Sequence, residues 1–293
     1  MADLYKKALE NDERKMLETP KRFLVHSETG FSELHANLHS HDFIEIFILL
    51  SGSVTYVIEK GKYELKDFDI VVVPPHVLHE LVVKDKSVDY KRIVIWVYPQ
   101  YLKDISSEQT NLSASINHFL KKNNNLIRNP EYTLTIKPIA EKIAYLDKER
   151  PYGYDLLIEN AFRELFITSN TFAFNDETFT VKPEGNDVVL SIISYIEEHL
   201  SNELSLEEIA QEMKMDTINL SYLFSKEMGT TLHQYIIKKR LNQAKLMLDM
   251  NQGIDMVIKS VGFKDKSHFI QAFKKEYGIT PHKYRMIRNV KQK

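Results

Sequence analysis

The chain has 293 residues, of which 43% are hydrophobic and 27% are charged. It is long enough for two globular domains, and its composition is that of an ordinary folded protein. The absence of cysteine excludes disulfides, thiolate metal sites and a cysteine nucleophile. The N-terminus has no secretory signal pattern, and no apolar run approaches the roughly 20 residues that span a bilayer. We therefore expect a cytoplasmic protein without a membrane partner.

Residues 1–103 are predicted to form a β domain. Short apolar segments occur at 43–50, 54–58, 70–73 and 93–97. The residues between these segments favour tight turns, including a hairpin turn at 59–62 and a pair of prolines after residue 73. Several short strands with closely spaced turns are typical of a small barrel or sandwich.

Two motifs in this β domain are rich in histidine. The first is His39-Ser-His41-Asp-Phe-Ile-Glu45, and the second covers residues 69–79 and ends at His79. Both segments resemble the two cupin motifs. The resemblance implies a cupin-like β-barrel with appended helices, and it places four potential ligands in the mouth of the barrel: His39, His41, Glu45 and His79.

These four residues allow three interpretations. Neutral imidazoles with a carboxylate suit a divalent transition metal. The same side chains could instead form a metal-free pocket that hydrogen-bonds a small polar effector, or they could satisfy one another inside the barrel. We expect the metal-free pocket, without a cofactor. Phe68 and His76 stand where the second cupin motif usually has glycine, so that motif is imperfect.

Residues 104–174 are predicted to be helical. One amphipathic face is predicted from Ile139, Ile143 and Leu146. A second face is predicted from five apolar residues: Leu156, Leu157, Phe162, Leu165 and Phe166. These helices would pack on the β domain or pair two chains, and we expect a homodimer through the β domain or through the helices of 135–173. The polar segment 175–186 has the composition of a linker.

Residues 187–293 are predicted to form an all-α domain with seven helices. Apolar residues recur at helical spacing from Val188 to Leu200. Ser205 and Glu208 match a capping box for a helix over 206–213. Helices over 217–227 and 266–277 have potential caps at both ends: Asp216, Gly229, Asp265 and Gly278. The arrangement predicts two helix-turn-helix units.

An internal repeat supports this duplication. Phe224-Ser-Lys-Glu-Met-Gly-Thr-Thr231 recurs 49 residues later as Phe273-Lys-Lys-Glu-Tyr-Gly-Ile-Thr280, with five of eight positions identical. Two similar helices facing one way would match successive major-groove faces of DNA, which recur about every 34 Å. The charge distribution also favours DNA binding. Residues 217–293 contain 15 basic and 5 acidic residues, although the net charge of the chain is −2.

Residues 204–285 resemble the DNA-binding domain of AraC/XylS-type transcription regulators. The resemblance rests on four main motifs: Leu206-x-x-Ile209-Ala210, Leu223-Phe224-x-Lys226-Glu227-x-Gly229, Val261-Gly262-Phe263 and Gly278-Ile279-Thr280-Pro281-x-x-Tyr284-Arg285. Ile258 replaces a usual alanine, and Asp216 replaces a usual serine cap. The resemblance implies double-stranded DNA as a partner, with a recognition helix of each unit in consecutive major grooves.

The resemblance also implies which residues face DNA. In the two recognition helices they are Thr217, Ile218, Ser221 and Tyr222, and then Lys266, Ser267, His268 and Gln271. Glutamine can pair with adenine, lysine can donate to guanine, and Ile or Thr methyl groups can contact thymine. Lys226, Lys274 and Lys275 are the expected phosphate contacts, which fix the register without specifying sequence.

Three functions remain in competition at this point. The first, which we expect, is a regulator whose effector changes its contacts with promoter DNA or RNA polymerase. The resemblance to such regulators implies that the effector is a sugar or related metabolite. The second is a cupin oxygenase or isomerase with a DNA-binding tail, supported only by the set of three histidines and Glu45. The third is an architectural protein that binds DNA without sequence preference. We expect no enzymatic activity, because no other nucleophile, base or phosphate-loop motif is present.

Overall fold

The computed structural model describes residues 23–29, 36–59, 61–85, 89–114, 116, 125–175, 181 and 185–291. The chain forms two structural units, one within residues 11–184 and the other containing residues 185–293. They are called here the sensor unit and the C-terminal unit. Among the described helices, none combines the length and the hydropathy that a bilayer span requires.

The sensor unit is built on two antiparallel sheets. Its strands are β1 (Phe23–Thr29), β2 (Ala36–His39), β3 (Ile44–Ser51), β4 (Val54–Ile58), β5 (Gly61–Glu64), β6 (Ile70–Val73), β7 (His79–Val83), β8 (Lys91–Val97) and β9 (Leu126–Ile127). The order is β1-β8-β3-β6-β9 in one sheet and β2-β7-β4-β5 in the other. The predicted hairpin turn is short, because β5 already begins at Gly61; Lys60 lies outside the described residues.

Strand β3 separates two hydrophobic cores. Side chains alternate along a strand, and Ile44, Ile46 and Ile48 pack against the helices on one face of the five-stranded sheet. Phe47 and Leu49 point the other way and pack between the two sheets. The same alternation sends the carboxylate of Glu45 into the interior between the sheets.

Three helices lie in the described part of the sensor unit: α1 (Pro99–Asp104), α2 (Pro130–Glu149) and α3 (Tyr154–Asn175). The predicted face of α2 is buried, and so are Phe162, Leu165 and Phe166 of α3. The prediction was wrong for Leu156 and Leu157, which are 66% and 40% exposed. A helix turns by about 100° per residue, so these two leucines point well away from Phe162.

The glycine replacements in the second cupin motif keep a glycine-like backbone. Phe68 and His76 have φ angles of 65° and 66°, in the left-handed region that side chains disfavour by about 1–2 kcal/mol. The amide of His76 donates to the carbonyl of His41 at 2.7 Å. This bond joins the loop before β7 to the segment after β2, and it helps to hold the two histidine motifs together.

The C-terminal unit consists of seven helices within residues 185–291. They are α4 (Asp187–Glu198), α5 (Leu206–Glu212), α6 (Thr217–Met228), α7 (Leu232–Asp249), α8 (Ile254–Ser260), α9 (Lys266–Tyr277) and α10 (Pro281–Lys291). The capping box of Ser205 and Glu208 is present. Asp216 and Asp265 each accept a hydrogen bond from the backbone three residues later. Val188 is more exposed than its predicted core position requires, because α4 buries the face of Val189 and Ile192.

The two copies of the repeat adopt the same local structure. Phe224 and Phe273 are fully buried. Gly229 and Gly278 end α6 and α9 with left-handed φ angles of 64° and 73°. Because only glycine adopts such angles without strain, α6 and α9 end at the same point of the repeat. The second unit accommodates Ile258 in its core, where the side chain is 7% exposed.

Candidate functional sites

The four sensor residues predicted from the sequence come together in the structure. His39, at the end of β2, is the cross-strand partner of His79, the first residue of β7. Ring centroids are 4.2 Å apart for His39 and His79, and 4.9 Å apart for His41 and His79. His41 and His79 are buried, whereas His39 is only partly buried. The cluster is therefore approached from the side of His39.

Glu45 is held in a buried hydrogen-bond network. The Tyr56 hydroxyl donates to Oε1 at 2.5 Å, and the Trp96 indole N–H donates to Oε2 at 2.9 Å. His41 Nε2 lies 3.3 Å from Oε2, and His79 Nε2 lies 4.0 Å from Oε1. A carboxylate in a low-dielectric interior needs such donors and nearby positive charge. Both oxygens of Glu45 are thus engaged by the protein.

The pKa of Glu45 lies well below its usual value. Burial alone would raise this pKa, but the hydrogen bond with His41 and the charges of His79, His41 and His39 outweigh burial. The carboxyl group is therefore ionised at neutral pH.

Tyr56 and Trp96 are members of this cluster that the sequence motifs did not identify. Trp96 is the cross-strand partner of Glu45 in β8, and Tyr56 reaches the carboxylate from β4 in the opposite sheet. The Phe43 ring stacks on His41 with centroids 4.1 Å apart. Only the register of β3 against β8 identifies Trp96 as a neighbour of Glu45, and the sequence alone does not predict that register.

The second candidate site is the surface of α6 and α9, the two helices predicted to contact DNA. Ile218 and Tyr222 are 80% and 66% exposed, although large apolar side chains are more often buried. Thr217 and Ser221 are partly buried. The other predicted positions are exposed: Lys226, Lys266, Ser267, His268, Gln271, Lys274 and Lys275. We call these eleven residues the recognition surface.

Lys226 and Lys266 of the recognition surface each contact a side chain of the C-terminal unit. Lys226 Nζ lies 5.9 Å from the centre of the Tyr222 ring. Lys266 Nζ lies 2.6 Å from Asp255 Oδ1, and the hydrogen bond from Lys266 lowers the pKa of Asp255. Exposed ion pairs contribute little stability. Lys266 can therefore exchange Asp255 for another acceptor at small cost.

Comparison with known proteins assigns both units. Residues 24–144 match the family model of an AraC-like ligand binding domain, and residues 209–287 match the model of a helix-turn-helix domain. The multiple antibiotic resistance protein MarA of Escherichia coli is 32% identical over 97 residues, which cover 33% of this chain and 76% of MarA. The chain belongs to the AraC family of transcription regulators.

Two other similar proteins extend this comparison. The HTH-type transcriptional activator RhaS of Mannheimia succiniciproducens is 26% identical over 265 residues, covering 85% of this chain and 88% of RhaS. The probable transcriptional regulator LumQ of Photobacterium leiognathi is 36% identical over 107 residues, covering 36% of this chain and 43% of LumQ. This AraC-family chain is thus a DNA-binding transcription regulator with a ligand-binding domain, which confirms the predicted family and fold class.

Proposed function

We propose that this AraC-family protein is a sequence-specific regulator that senses a small polar effector and reads two adjacent DNA boxes. The observation that carries the proposal is the duplicated helix-turn-helix unit with exposed side chains on both recognition helices. Ile218 and Tyr222 on α6, and His268 and Gln271 on α9, offer different contacts to base edges. The two units would enter consecutive major grooves and read different sequences.

The cluster of His39, His41, Glu45 and His79 is proposed as the effector pocket. It combines polar donors and acceptors with aromatic walls in the ligand-binding unit, as small-molecule sites generally do. Sugars or related metabolites present hydroxyl groups that suit this set. We propose sensing without catalysis, because both oxygens of Glu45 already accept hydrogen bonds from Tyr56 and Trp96.

Effector binding is proposed to act by changing which arrangement of the DNA-binding units is favoured. Such a shift requires the effector to bind one state more tightly than the other. RNA polymerase is the proposed partner at the promoter, with activation as the outcome, because the similar protein RhaS is a transcriptional activator. The proposed place of action is the cytoplasm, where the promoter DNA lies.

A homodimer is proposed through the exposed side of α2 and α3. Large apolar side chains are exposed there: Leu134, Tyr145, Leu156, Leu157 and Ile167. Exposed large apolar side chains on neighbouring helices are a common feature of association sites. The double change Leu156→Asp with Ile167→Asp is expected to convert the dimer to a monomer in sedimentation equilibrium. Met250→Asp, at a residue 71% exposed in the C-terminal unit, is the control and should remain dimeric.

The recognition surface is tested by two single changes. Tyr222→Ala and Gln271→Ala are each expected to weaken specific DNA binding, and at least one should relax the preference at one base pair by roughly 1–3 kcal/mol. The measurement compares affinities for the selected site and for its single-base variants. Ser194→Ala, at an exposed position of α4, is the control. Unchanged base preference in both variants would refute the assignment of α6 and α9 as recognition helices.

The experiment that tests the proposed function is selection of bound sequences from a random duplex pool. Near-physiological salt is required, because electrostatic binding to any DNA dominates at low salt. We expect enrichment of a site with two boxes about one helical turn apart. The selection is run with and without candidate effectors. Absence of enrichment under every condition, with folded protein, would contradict sequence-specific regulation.

A further inference from the structure

A cavity of about 600 Å³ lies in the C-terminal unit. Its walls come from α8, α9 and α10 and from residues that directly precede α8 and α10. Small-molecule sites commonly have volumes of roughly 300–1,000 Å³. The cavity is therefore large enough for a small organic molecule, and it is separate from the histidine cluster, which belongs to the sensor unit.

Apolar side chains form much of the cavity wall: Ile254, Met256, Ile270 and Pro281. Pro281 is buried, Ile254 and Ile270 are partly buried, and Met256 is 60% exposed. Apolar surface in contact with water is stabilised when a ligand covers it. The walls thus favour a ligand with an apolar body, at a place that the packing of the three helices leaves uncovered.

Two cationic side chains and one carboxylate also line the cavity: Lys266, Arg285 and Asp255. Lys266 Nζ lies 2.6 Å from Asp255 Oδ1, and both side chains are more than half exposed. The partly buried Arg285 donates from Nη1 to the carbonyl oxygen of Gln252 at 3.5 Å, and a hydrogen bond of this length is weak. Together the three side chains carry a net positive charge, and the planar guanidinium of Arg285 matches the geometry of a carboxylate.

These features favour an amphipathic anion over a DNA phosphate as the occupant. A phosphate would be attracted to the two cations, but it has no apolar part to cover the walls. We propose that the cavity binds a small organic anion, with its carboxylate on Arg285 and its apolar body against Met256 and Ile270. Arg285 then exchanges its long bond to the Gln252 carbonyl for charge-assisted bonds to the ligand.

Lys266 connects this cavity with DNA recognition. It is the first residue of α9, and it is one of the side chains predicted to contact DNA. A carboxylate in the cavity is an alternative acceptor to Asp255, and Lys266 cannot donate to the ligand and to guanine at once. Ligand and DNA therefore each lower the affinity of the other by the same factor. This consequence, unlike ligand binding itself, rests on the proposed function.

The test uses para-(trifluoromethyl)benzoate as the probe and its neutral amide, para-(trifluoromethyl)benzamide, as the chemical control. Binding to the full-length chain is followed by broadening of the fluorine NMR signal. We expect a dissociation constant of about 1 mM for the benzoate, as is usual for a ligand of this size. The amide should bind about 10-fold more weakly, because it lacks the charge that Arg285 and Lys266 recognise. Arg285→Gln should weaken benzoate binding by a similar factor.

Met256→Glu is a second variant, because it places a negative charge in the cavity wall at an exposed side chain and leaves the buried core intact. It should also weaken benzoate binding about 10-fold. Lys283→Gln removes a cation from an exposed position of α10, and Met250→Glu makes the same change at an exposed methionine; neither residue lines the cavity. Both controls should bind like the unchanged chain. Equal binding by all four variants would place the probe elsewhere and overturn the proposal, as would equal binding of benzoate and amide.

Competition with DNA tests the role of Lys266. At equal ionic strength, saturating benzoate should weaken specific DNA binding of the unchanged chain about 5–10-fold, as loss of one base contact does. The DNA affinity of Arg285→Gln should not respond to the probe. Benzoate binding with unchanged DNA affinity would overturn the competition. Benzoate binding by a chain that selects no DNA sequence would support the cavity and contradict the regulator, whereas a selected sequence without benzoate binding would contradict the cavity alone.

Discussion

Phe273→Ala is expected to lower the free energy of unfolding of the C-terminal unit by about 3–5 kcal/mol. Phe273 is fully buried in α9, and its ring contacts those of Phe269, Tyr277 and Tyr284 at centroid distances of 4.6–5.8 Å. Truncation removes this packing and leaves a cavity that the surrounding helices fill only in part. A loss of this size is a large fraction of the 5–15 kcal/mol that stabilises a typical domain.

The measurement is urea unfolding followed by far-UV circular dichroism and by Trp96 fluorescence. Trp96 lies in the sensor unit, so its transition should stay unchanged while the helical signal unfolds at lower urea concentration. Tyr222→Ala is a control in the other repeat: it also removes an aromatic ring, but from a side chain that is 66% exposed. It should change stability by no more than about 0.5 kcal/mol. Similar losses for Phe273→Ala and Tyr222→Ala would contradict the assigned core.

Phe224→Ala is the equivalent substitution in the first copy of the repeat. Phe224 is fully buried and packs on Tyr235 with centroids 5.3 Å apart. The two phenylalanines occupy equivalent positions 49 residues apart. Comparable destabilisation would show that the repeated sequence encodes a repeated packing arrangement. Specific DNA binding should fall in both variants, because each recognition helix is oriented by its own buried phenylalanine.

The ends of the recognition helices could be predicted from the sequence because capping is a local interaction. Asp265 bonds the backbone three residues later, and Gly278 supplies the left-handed residue at the other end. The predicted bounds of α9 agree with the structure. The orientation of α3 was harder to predict, since Leu156 and Leu157 are as apolar as the buried Leu165. Helical periodicity alone does not show which leucines are buried, because their burial depends on how α2 and α3 pack together.

The histidine cluster was predictable as a group, but its surroundings were not. The motifs place His39, His41, Glu45 and His79 near one another, and the structure brings them together. Tyr56 and Trp96 are separated from Glu45 by 11 and 51 residues. Their contacts depend on strand register and on the closure of one sheet over the other, which are properties of the whole fold.

Glu45→Ala is expected to destabilise the sensor unit by about 3–5 kcal/mol. The change leaves the Tyr56 hydroxyl and the Trp96 indole N–H, both buried, without the acceptor that they now share. A buried donor that loses its acceptor keeps its desolvation cost without a compensating bond. Urea unfolding followed by Trp96 fluorescence measures this loss of stability in the sensor unit itself. Glu45→Gln should lose less stability, because its amide oxygen still accepts one of the two bonds.

Glu64→Ala is the matched control, because Glu64 is also a barrel carboxylate that accepts hydrogen bonds, here from Thr55 and Lys84. Its side chain is 46% exposed, and water can replace both donors, so a change of about 0–1 kcal/mol is expected. Equal stability losses for Glu45→Ala and Glu64→Ala would contradict a special role for the Glu45 network.

DNA binding should survive Glu45→Ala if the C-terminal unit folds by itself. The double change His39→Ala with Glu45→Ala therefore tests sensing only when the sensor unit remains folded. His39→Ala alone changes the partly exposed histidine, and it separates loss of effector response from loss of structure.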